Sequence, residues 1–417
     1  MLDHLRTIYL RALDACAPER LVRAALTRDM PRHVVAIGKC AGALRDGLDD
    51  VDDAFVAVPD GYRLPLKRSQ IAIGGHPEIT AASFDAGRQM ANFVAAHEDI
   101  LFLISGGGSA CVELPLEPWF DERDLIATNA RLVASALPIG DINCVRKHLS
   151  AIKGGRLAAR VKRSVTRVYS DVSTGALADV ASGPTMADVT TKADAIAILE
   201  RLGGCERIVA TLRDEACPET VKRIDDSRFA LIADNRTLVA KAAEIAASMG
   251  FIPVVVEQQI ESEIGDAAED LLARASRLRI GEVLIAGGEP TLVRRGDGKG
   301  GRCIELAVRM ALAADERRSD FAERRSDSPV RRFSLRKESD WRVRPTFVAL
   351  LGTSDGLDGN SGVAAVALAL PASFDRETAI RELLRSNSLV IAEEIGETIM
   401  IPPAGNNLRD LYLLARA

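Results

Sequence analysis

The chain has 417 residues, of which 47% are hydrophobic and 27% charged, and 54 basic against 59 acidic side chains leave a formal net charge of −5. This length favours two domains, and the apolar content excludes a largely disordered protein. The balanced charge and the 4% aromatic content argue against a protein that coats nucleic acid or stacks single-stranded bases, so no nucleic-acid partner is expected.

The sequence indicates a protein of the cytoplasm. Its seven cysteines are odd in number and never spaced as CxxC, which is typical of reduced thiols rather than of a disulfide framework or a zinc site. No stretch approaches 18 uninterrupted apolar residues, and the N-terminus lacks a signal-peptide core. We therefore expect a cytoplasmic location and no membrane contact.

In chain order, short apolar runs end in glycine-rich turns and are followed by helical patterns. The first runs are HVVAIG, AFVAVP, QIAIGG and DILFLISGGG, each about as long as a buried parallel strand. Segments such as 81–96 and 122–137 have the 3.6-residue period of helices. Strands that alternate with helices predict an α/β fold of two Rossmann-like domains with mostly parallel sheets.

A second series of strands starts at FALIAD, after a connection rich in acids and bases. We therefore predict one domain over 1–228 and another over 229–417. Between about 315 and 344 the second domain carries an insertion in which arginines and acids dominate. Such mixed charge with little apolar content favours a solvated insertion over a partner-binding or nucleic-acid-binding arm.

Glycine-rich loops at predicted strand ends are where a ligand site is expected in an open α/β sheet. Glycine lets backbone N–H groups approach an anion, and a following helix adds a favourable dipole. In AIGKCAGAL, Lys39 stands between a strand and a helix, where an ammonium group can meet a phosphate. LISGGGSAC predicts an oxyanion nest made by Ser105, Gly106, Gly107, Gly108 and Ser109.

Two further loops carry basic side chains. Arg146, Lys147, His148 and Lys153 lie in one short segment that would clamp an anion, and helical spacing predicts that Arg146 and Lys153 share a face. In 287–307, glycines 296, 298 and 301 match GxGxxG, but the next strand has no terminal acid in the ribose-binding position. Arg302, at a helix start, suits phosphate better than nicotinamide.

A phosphate site also needs a divalent cation that carboxylates hold. Asp171 follows a strand-like run, and Asp355 lies in the loop LLGTSDGLDG. Each is a candidate magnesium ligand, with turn formation as the plain alternative.

The ordered motifs GK, GGHP, SGGGSA, VRKHLSAIKGGRLA, SDV, ASGPT, GGEPT, GGR and TSDGLDG cover nearly the whole chain. This set resembles the glycerate 2-kinases that share a C-terminal MOFRL domain, historically also labelled hydroxypyruvate reductases. The resemblance implies ATP-dependent phosphorylation of D-glycerate to 2-phosphoglycerate, with Mg²⁺, in a cleft between two α/β domains. A homodimer is one candidate assembly.

The resemblance also implies roles for single residues. Lys39 and Arg302 would stabilise the transferred phosphoryl group, and Asp171 would activate the hydroxyl or hold magnesium. The remaining candidates would bind glycerate or nucleotide, without a division between the two ligands: Ser105, Gly106, Gly107, Gly108, Ser109, Asn143, Arg146, Lys147, His148, Lys153, Glu289, Gly298, Gly301, Thr353 and Asp355.

The chain departs from the family pattern in several loops. Residues 173–176 stand where a Gly-Asp pair is usual, and Cys303-Ile304 follow GGR in place of Asn-Gln. Three alternatives stay open. The chain could be a kinase of another small hydroxy acid or a catalytically weakened homologue that binds nucleotide or anion. The older family label and the GxGxxG match leave an NAD(P)-dependent hydroxypyruvate reductase as the third.

Overall fold

The computed structural model describes residues 1–135, 137–172, 177–326, 347–402 and 405–417, which form two α/β units. The first unit comprises residues 17–234 together with 405–407. The second unit comprises residues 1–16, 235–404 and 408–417. Both units combine a six-stranded sheet with helices, so the predicted α/β class is confirmed.

The first unit contains a sheet in which every pairing is parallel, in the order β3-β2-β1-β4-β5-β6. Its central strands are runs of buried aliphatic and aromatic residues, as expected for a sheet covered on both faces. The strands are β1 (His33–Ile37), β2 (Asp53–Pro59), β3 (Gln70–Gly74), β4 (Asp99–Ser105), β5 (Arg163–Tyr169) and β6 (Ser227–Ala233).

The helices of the first unit begin where the sequence offers caps. Asp121 and Asp124 form a reciprocal capping box at the start of α6, and Thr191 and Asp194 form another at α8. Two short 3-10 segments lie at Ala158–Arg160 and Leu177–Ser182. The α-helices are α2 (Pro18–Ala24), α3 (Ala41–Asp46), α4 (Ala81–Ala95), α5 (Gly108–Cys111), α6 (Glu122–Ala134), α7 (Ile139–Leu149), α8 (Lys192–Leu202) and α9 (Glu206–Arg213).

The second unit contains a sheet of mixed direction, in the order β11-β10-β9-β12-β8-β7. Among its described strands only the β7–β8 pairing is parallel, so the expected mostly parallel arrangement describes the first sheet and not this one. The strands are β7 (Ile252–Val255), β8 (Glu282–Gly288), β9 (Phe347–Thr353), β10 (Ala365–Leu370), β11 (Gly396–Ile399) and β12 (Asp410–Arg416).

Helices of the second unit bury an apolar core against this sheet, in which Ile304, Met310 and Tyr412 are fully buried. The N-terminal helix belongs here, because Leu5, Ile8 and Tyr9 are fully buried and the Tyr9 hydroxyl donates to the carbonyl oxygen of Thr353 at 2.6 Å. The helices are α1 (Leu2–Ala15), α10 (Asn235–Ser248), α11 (Ile264–Ala275), α12 (Arg302–Ser326), α13 (Arg376–Leu384) and α14 (Ser388–Ile395).

The structure divides the chain differently from the predicted boundary at 228/229. Strand β6 pairs with β5 in the first sheet, whereas helix α1 packs in the second unit. Residues 405–407 return to the first unit. The difference arises because sequence patterns show where strands lie but not which neighbour they pair with. Residues 327–346, most of the predicted charged insertion, lie outside the described residues.

Across the described ranges, no helix is both long and apolar enough to cross a membrane.

Candidate active site

The first sheet has a switch point between β1 and β4. Strands β2 and β3 lie on one side of this pair and β5 and β6 on the other, so a crevice is expected beyond the carboxyl ends of β1 and β4. The two loops there are joined directly. The Lys39 backbone N–H donates to the carbonyl oxygen of Gly106 at 2.9 Å, and that of Cys40 donates to Ser105 Oγ at 3.1 Å.

A cavity of about 200 Å³ lies at this edge of the first sheet. Its lining combines six polar side chains with a mostly apolar wall from α6, α7 and the segment after β5. This composition suits a small ligand that carries a few charged or hydroxyl groups. The lining residues are His76, Pro77, Gly106, Gly107, Ser109, Ala110, Val133, Ile139, Asn143, Arg146, Asp171, Val172, Asp179, Val180 and Ala181.

Asp171 is positioned by two neighbours. Its carboxylate packs directly on Gly106, where a Cβ would collide with both carboxylate oxygens, so any larger residue at 106 would displace the carboxylate. Asn407 Nδ2 donates to Asp171 Oδ2 at 2.7 Å, which explains why residues 405–407 belong to the first unit. A carboxylate that is oriented from both sides can accept a proton from a ligand in the cavity.

Lys39 and His76 meet above Gly107. Gly107 has a φ of +79°, and a Cβ there would lie 2.9 Å from Lys39 Cγ and 3.3 Å from the His76 ring. Lys39 Nζ also lies 5.6 Å from the centre of the Tyr62 ring, in cation–π geometry. The triple-glycine loop therefore makes room for both side chains. His76 lines the cavity, whereas Lys39 and Arg302 are not among its lining residues.

The His76 imidazole is neutral around neutral pH. Partial burial at the cavity rim and the nearby cations Lys39 and Arg146 lower its pKa to about 4, although the Asp171 carboxylate acts in the opposite direction. A neutral imidazole can donate one hydrogen bond and accept another.

Arg146 is the basic side chain of the 143–158 segment that lines the cavity. Its Nε and Nη2 donate to Asn129 Oδ1 at 2.9 and 2.7 Å. Burial lowers the pKa of the guanidinium and the Glu113 carboxylate opposes that shift, but arginine stays charged at any physiological pH.

Three other predicted anion-binding residues face internal carboxylates instead. Lys147 forms ion pairs with Asp179 and Asp188 at 3.1 and 3.3 Å. His148 Nε2 lies 2.7 Å from a Glu219 oxygen, and Lys153 forms a buried ion pair with Glu113.

The prediction that Arg146 and Lys153 share a helical face is wrong. Helix α7 ends at Leu149, and Ser150 is already extended, with φ −98° and ψ 140°. Lys153 therefore follows the helix instead of continuing its face.

The opposite rim of the cavity is a hydrogen-bonded group of small polar side chains. Ser109 Oγ lies 2.8 Å from Ser182 Oγ, and the Ser182 hydroxyl donates to Asn143 Oδ1 at 2.9 Å. Ala181 and Ser182 have positive φ values of 52° and 58°. Such backbone costs on the order of 1–3 kcal/mol per residue and concentrates at functional sites.

Ser105 has a structural role besides its place in the glycine loop. Its hydroxyl donates to the carbonyl oxygen of Ile37 at 3.2 Å and accepts from the Cys40 backbone N–H, and the residue is fully buried. Gly108 packs against Ala181, because a Cβ at this position would lie 2.7 Å from the Ala181 Cβ.

In the second unit, Arg302 at the start of α12 lies between two carboxylates. Its Nε donates to Asp410 Oδ2 at 2.9 Å, and its Nη1 lies 2.9 Å from Glu289 Oε1. Burial alone would lower its pKa, but Asp410 and Glu289 raise it above the usual range.

The other second-unit candidates organise loops. Gly298 lies against Asn387, and a Cβ at Gly301 would collide with Asp358, so close packing explains two of the GxGxxG glycines. Thr353 Oγ1 donates to Asp355 Oδ1 at 3.0 Å, and that oxygen also accepts from the Leu357 backbone N–H at 3.1 Å.

Asp358 holds the start of α12, because its Oδ2 accepts from the Ile304 backbone N–H at 2.9 Å. Burial and the nearby Asp410 carboxylate raise its pKa to about 7 from 3.8. Between about pH 4 and pH 7, the folded state therefore keeps a proton on Asp358 that the unfolded state has lost. The contribution of Asp358 to the free energy of unfolding is complete below about pH 4 and is lost as the pH rises to 7.

We therefore expect Asp358→Asn, which keeps an acceptor without a charge, to raise the Tm relative to the wild type more at pH 8 than at pH 5. The increase in Tm at pH 8 should exceed the increase at pH 5 by on the order of 5 °C. Asp266→Asn, at an exposed carboxylate of the same unit, is the matched control for thermal unfolding. Equal gains for Asp358→Asn at both pH values would contradict the expected titration.

Within the described residues, no group of three or more His, Cys, Asp or Glu side chains could hold a metal ion. Mg²⁺ differs from zinc in this respect, because it commonly binds one or two protein carboxylates and takes its other ligands from phosphates and water. The oriented carboxylate of Asp171 fits such a site.

Three residues of this site were missed by the sequence prediction: His76, Asn129 and Asn407. A signal existed for two of them. His76 lies in GGHP directly after β3, and Asn129 is a polar residue on the apolar face that Leu125 and Leu132 define on α6. Asn407 comes from the far end of the chain, and no local pattern indicates its position.

Two family models match most of the chain. Residues 4–215 match the family described as Domain of unknown function (DUF4147), and residues 282–410 match the MOFRL family. The chain is 30% identical to the glycerate 2-kinase of Sulfurisphaera tokodaii, over 91% of this chain and 89% of that protein. It is 33% identical to the glycerate 2-kinase of Pyrococcus horikoshii, over 66% and 68% of the two chains.

A solved structure has the same fold. The crystal structure of glycerate kinase from Thermotoga maritima superposes with a TM-score of 0.81 at 25% identity, and the match covers 100% of this chain and 99% of that one. The fold, the two matched family regions and the relatives that align over most of the chain all indicate the same protein family. The chain belongs to the MOFRL-type glycerate 2-kinase family.

Proposed function

We propose that the protein transfers the γ-phosphoryl group of ATP to the 2-hydroxyl of D-glycerate and releases 2-phosphoglycerate. The observation that carries the proposal is the cavity at the β1/β4 switch point, where the Asp171 carboxylate, the Arg146 guanidinium and the triple-glycine loop line one space. The family membership and the names of the relatives support the same reaction.

The cavity suits a three-carbon hydroxy acid. A volume of about 200 Å³ exceeds that of several water molecules but is small for a drug-sized ligand. Arg146 supplies the positive charge that would bind the carboxylate, through N–H groups that Asn129 does not occupy. The side chains of Asn143 and Ser109 would contact the hydroxyl groups.

Asp171 would act as the general base. Its carboxylate takes the proton of the 2-hydroxyl while the hydroxyl oxygen forms a bond to the γ-phosphorus of ATP. The bond between that phosphorus and the β,γ-bridging oxygen breaks, and ADP leaves with the electron pair. The hydrogen bond from Asn407 keeps the carboxylate directed at the cavity.

Charge that develops on the transferred group needs fixed donors nearby. Lys39 is the candidate cation of the first unit, beside the backbone of Gly106 and Gly107. Arg302 stays the predicted cation of the second unit. His76, held neutral, would add a hydrogen bond without adding positive charge.

The proposal includes ATP as the phosphoryl donor and Mg²⁺ as the metal ion. When bound, Mg²⁺ neutralises phosphate charge and aligns the γ-phosphoryl group. Asp171 is the described carboxylate that would hold it, and a metal role for Asp355 stays a prediction, as does the homodimer.

The test uses the purified protein with ATP, Mg²⁺ and D-glycerate, coupled to enolase without phosphoglycerate mutase, so that only 2-phosphoglycerate gives a signal. We expect turnover with D-glycerate and none with hydroxypyruvate and NADH. Turnover with a different 2-hydroxy acid instead would replace the proposed substrate. Nucleotide binding without any turnover would favour the weakened homologue, and NADH oxidation would favour the reductase.

A further inference from the structure

The basic residues of the 146–156 segment differ in what neutralises them. Lys147, His148 and Lys153 each face at least one carboxylate. Arg156 donates to backbone carbonyl oxygens. Arg146 instead donates twice to one neutral amide oxygen, and no carboxylate among the described residues forms an ion pair with it.

The acceptor, Asn129, is itself firmly placed. It lies on α6, is only 5% exposed, and shares a helical face with the buried side chains of Leu125 and Leu132. Helix α6 begins at the Asp121 capping box and packs against α7, which carries Arg146. The guanidinium is therefore anchored by a rigid helix through two of its three nitrogens.

The chemical identity of the acceptor decides how much charge Arg146 offers to the cavity. A carboxylate in this place would make the same two hydrogen bonds but would cancel the charge of the guanidinium. An amide oxygen fixes the orientation without a counter-charge. The remaining N–H groups, including those of Nη1, keep the positive potential that an anionic ligand requires.

We propose that Asn129 is a positioning residue, which holds Arg146 at the cavity without adding a counter-charge, so that the guanidinium can bind the carboxylate of the hydroxy acid. This inference rests on the proposed function, in which the cavity binds the acid. It explains why a polar amide occupies an apolar helix face at a cost in burial of polar groups.

Asn129→Asp is the decisive variant, because it preserves shape and hydrogen bonds and adds one negative charge. We expect the KM and the calorimetric Kd for D-glycerate to rise about 10- to 100-fold, the equivalent of one charge-assisted hydrogen bond. The KM for ATP and the Tm should stay close to those of the wild type. A role in packing alone predicts an unchanged KM for the acid.

Two further variants complete the test. Asn92→Asp adds the same charge at an exposed position of α4 in the same unit and should leave the KM for D-glycerate unchanged. Asn129→Ala removes the anchor without adding charge, and we expect it to raise the KM for the acid and leave the KM for ATP unchanged. It also serves as the test if Asn129→Asp fails to fold.

The outcomes separate this inference from the proposed function. A wild-type protein that neither binds nor phosphorylates D-glycerate would overturn the proposed function. An active wild type whose KM for D-glycerate is unchanged in both Asn129→Asp and Asn129→Ala would overturn the role of Asn129 and leave the proposed function in place.

Discussion

Asp171→Asn is expected to lower kcat for D-glycerate phosphorylation by about 100- to 10,000-fold, the range lost with a general base. The amide keeps the shape of the carboxylate and can still accept from Asn407 Nδ2, so the loop geometry should survive. It cannot take the proton of the attacking hydroxyl. Steady-state kinetics, with the Kd for D-glycerate measured by calorimetry, separates the lost chemical step from lost binding.

The matched control is Asp141→Asn, on the first turn of α7 in the same unit, where the carboxylate pairs with Arg201 at the surface. We expect it to retain wild-type kcat. If Asp171→Asn also turned over at the wild-type rate, Asp171 would be neither the base nor an essential magnesium ligand.

Lys39→Ala is expected to lower kcat by about 100- to 1,000-fold, the range reported for loss of one group that stabilises transition-state charge. The same variant removes one of the cations that lower the pKa of His76. The His76 pKa should therefore rise from about 4 toward the ordinary histidine value of 6.5. NMR titration of the imidazole detects this change independently of turnover.

Lys162→Ala is the control for Lys39→Ala. Lys162 directly precedes β5, at the edge of the first sheet opposite the carboxyl ends, and its exposed side chain pairs with Glu98. We expect wild-type kcat and an unchanged His76 pKa in this variant. Wild-type turnover in Lys39→Ala would remove Lys39 from the phosphoryl-transfer step.

The ends of the strands in the first sheet can be located from local patterns alone, and the roles of the residues there stay predictions. Lys39, Gly106 and Asp171 follow buried apolar runs, and parallel strands bring their carboxyl ends to one edge of the sheet. This rule needs only local patterns. It therefore located three loops of the first unit without knowledge of their packing.

The roles of the basic side chains in the 143–158 segment are harder to predict from the sequence than the ends of the strands. Lys153 looks like a ligand-binding residue in sequence, but it pairs with Glu113, which lies 40 positions earlier. Likewise, His148 pairs with Glu219 from 71 positions later. A count of basic residues cannot show which of them the fold already neutralises, because the partner carboxylates are remote in sequence.

The prediction of a mostly parallel sheet is wrong for the second unit. β12 runs antiparallel to both of its neighbours, β8 and β9. Its run of buried residues reads like that of a parallel strand, because both faces are covered. Burial on both faces of a sheet determines the composition of a strand, but not whether the strand runs parallel or antiparallel to its neighbours.

The packing of α1 in the second unit has a consequence for how the protein is made. The ribosome releases Leu5, Ile8 and Tyr9 first, but the sheet that buries them is synthesised only after residues 17–234 of the first unit. During that interval the apolar face of α1 lacks the sheet that covers it in the folded protein. For the same reason, we expect a fragment that starts at residue 229 to aggregate. It would lack α1, which packs in the second unit, and would carry most of β6 without its partner strand β5.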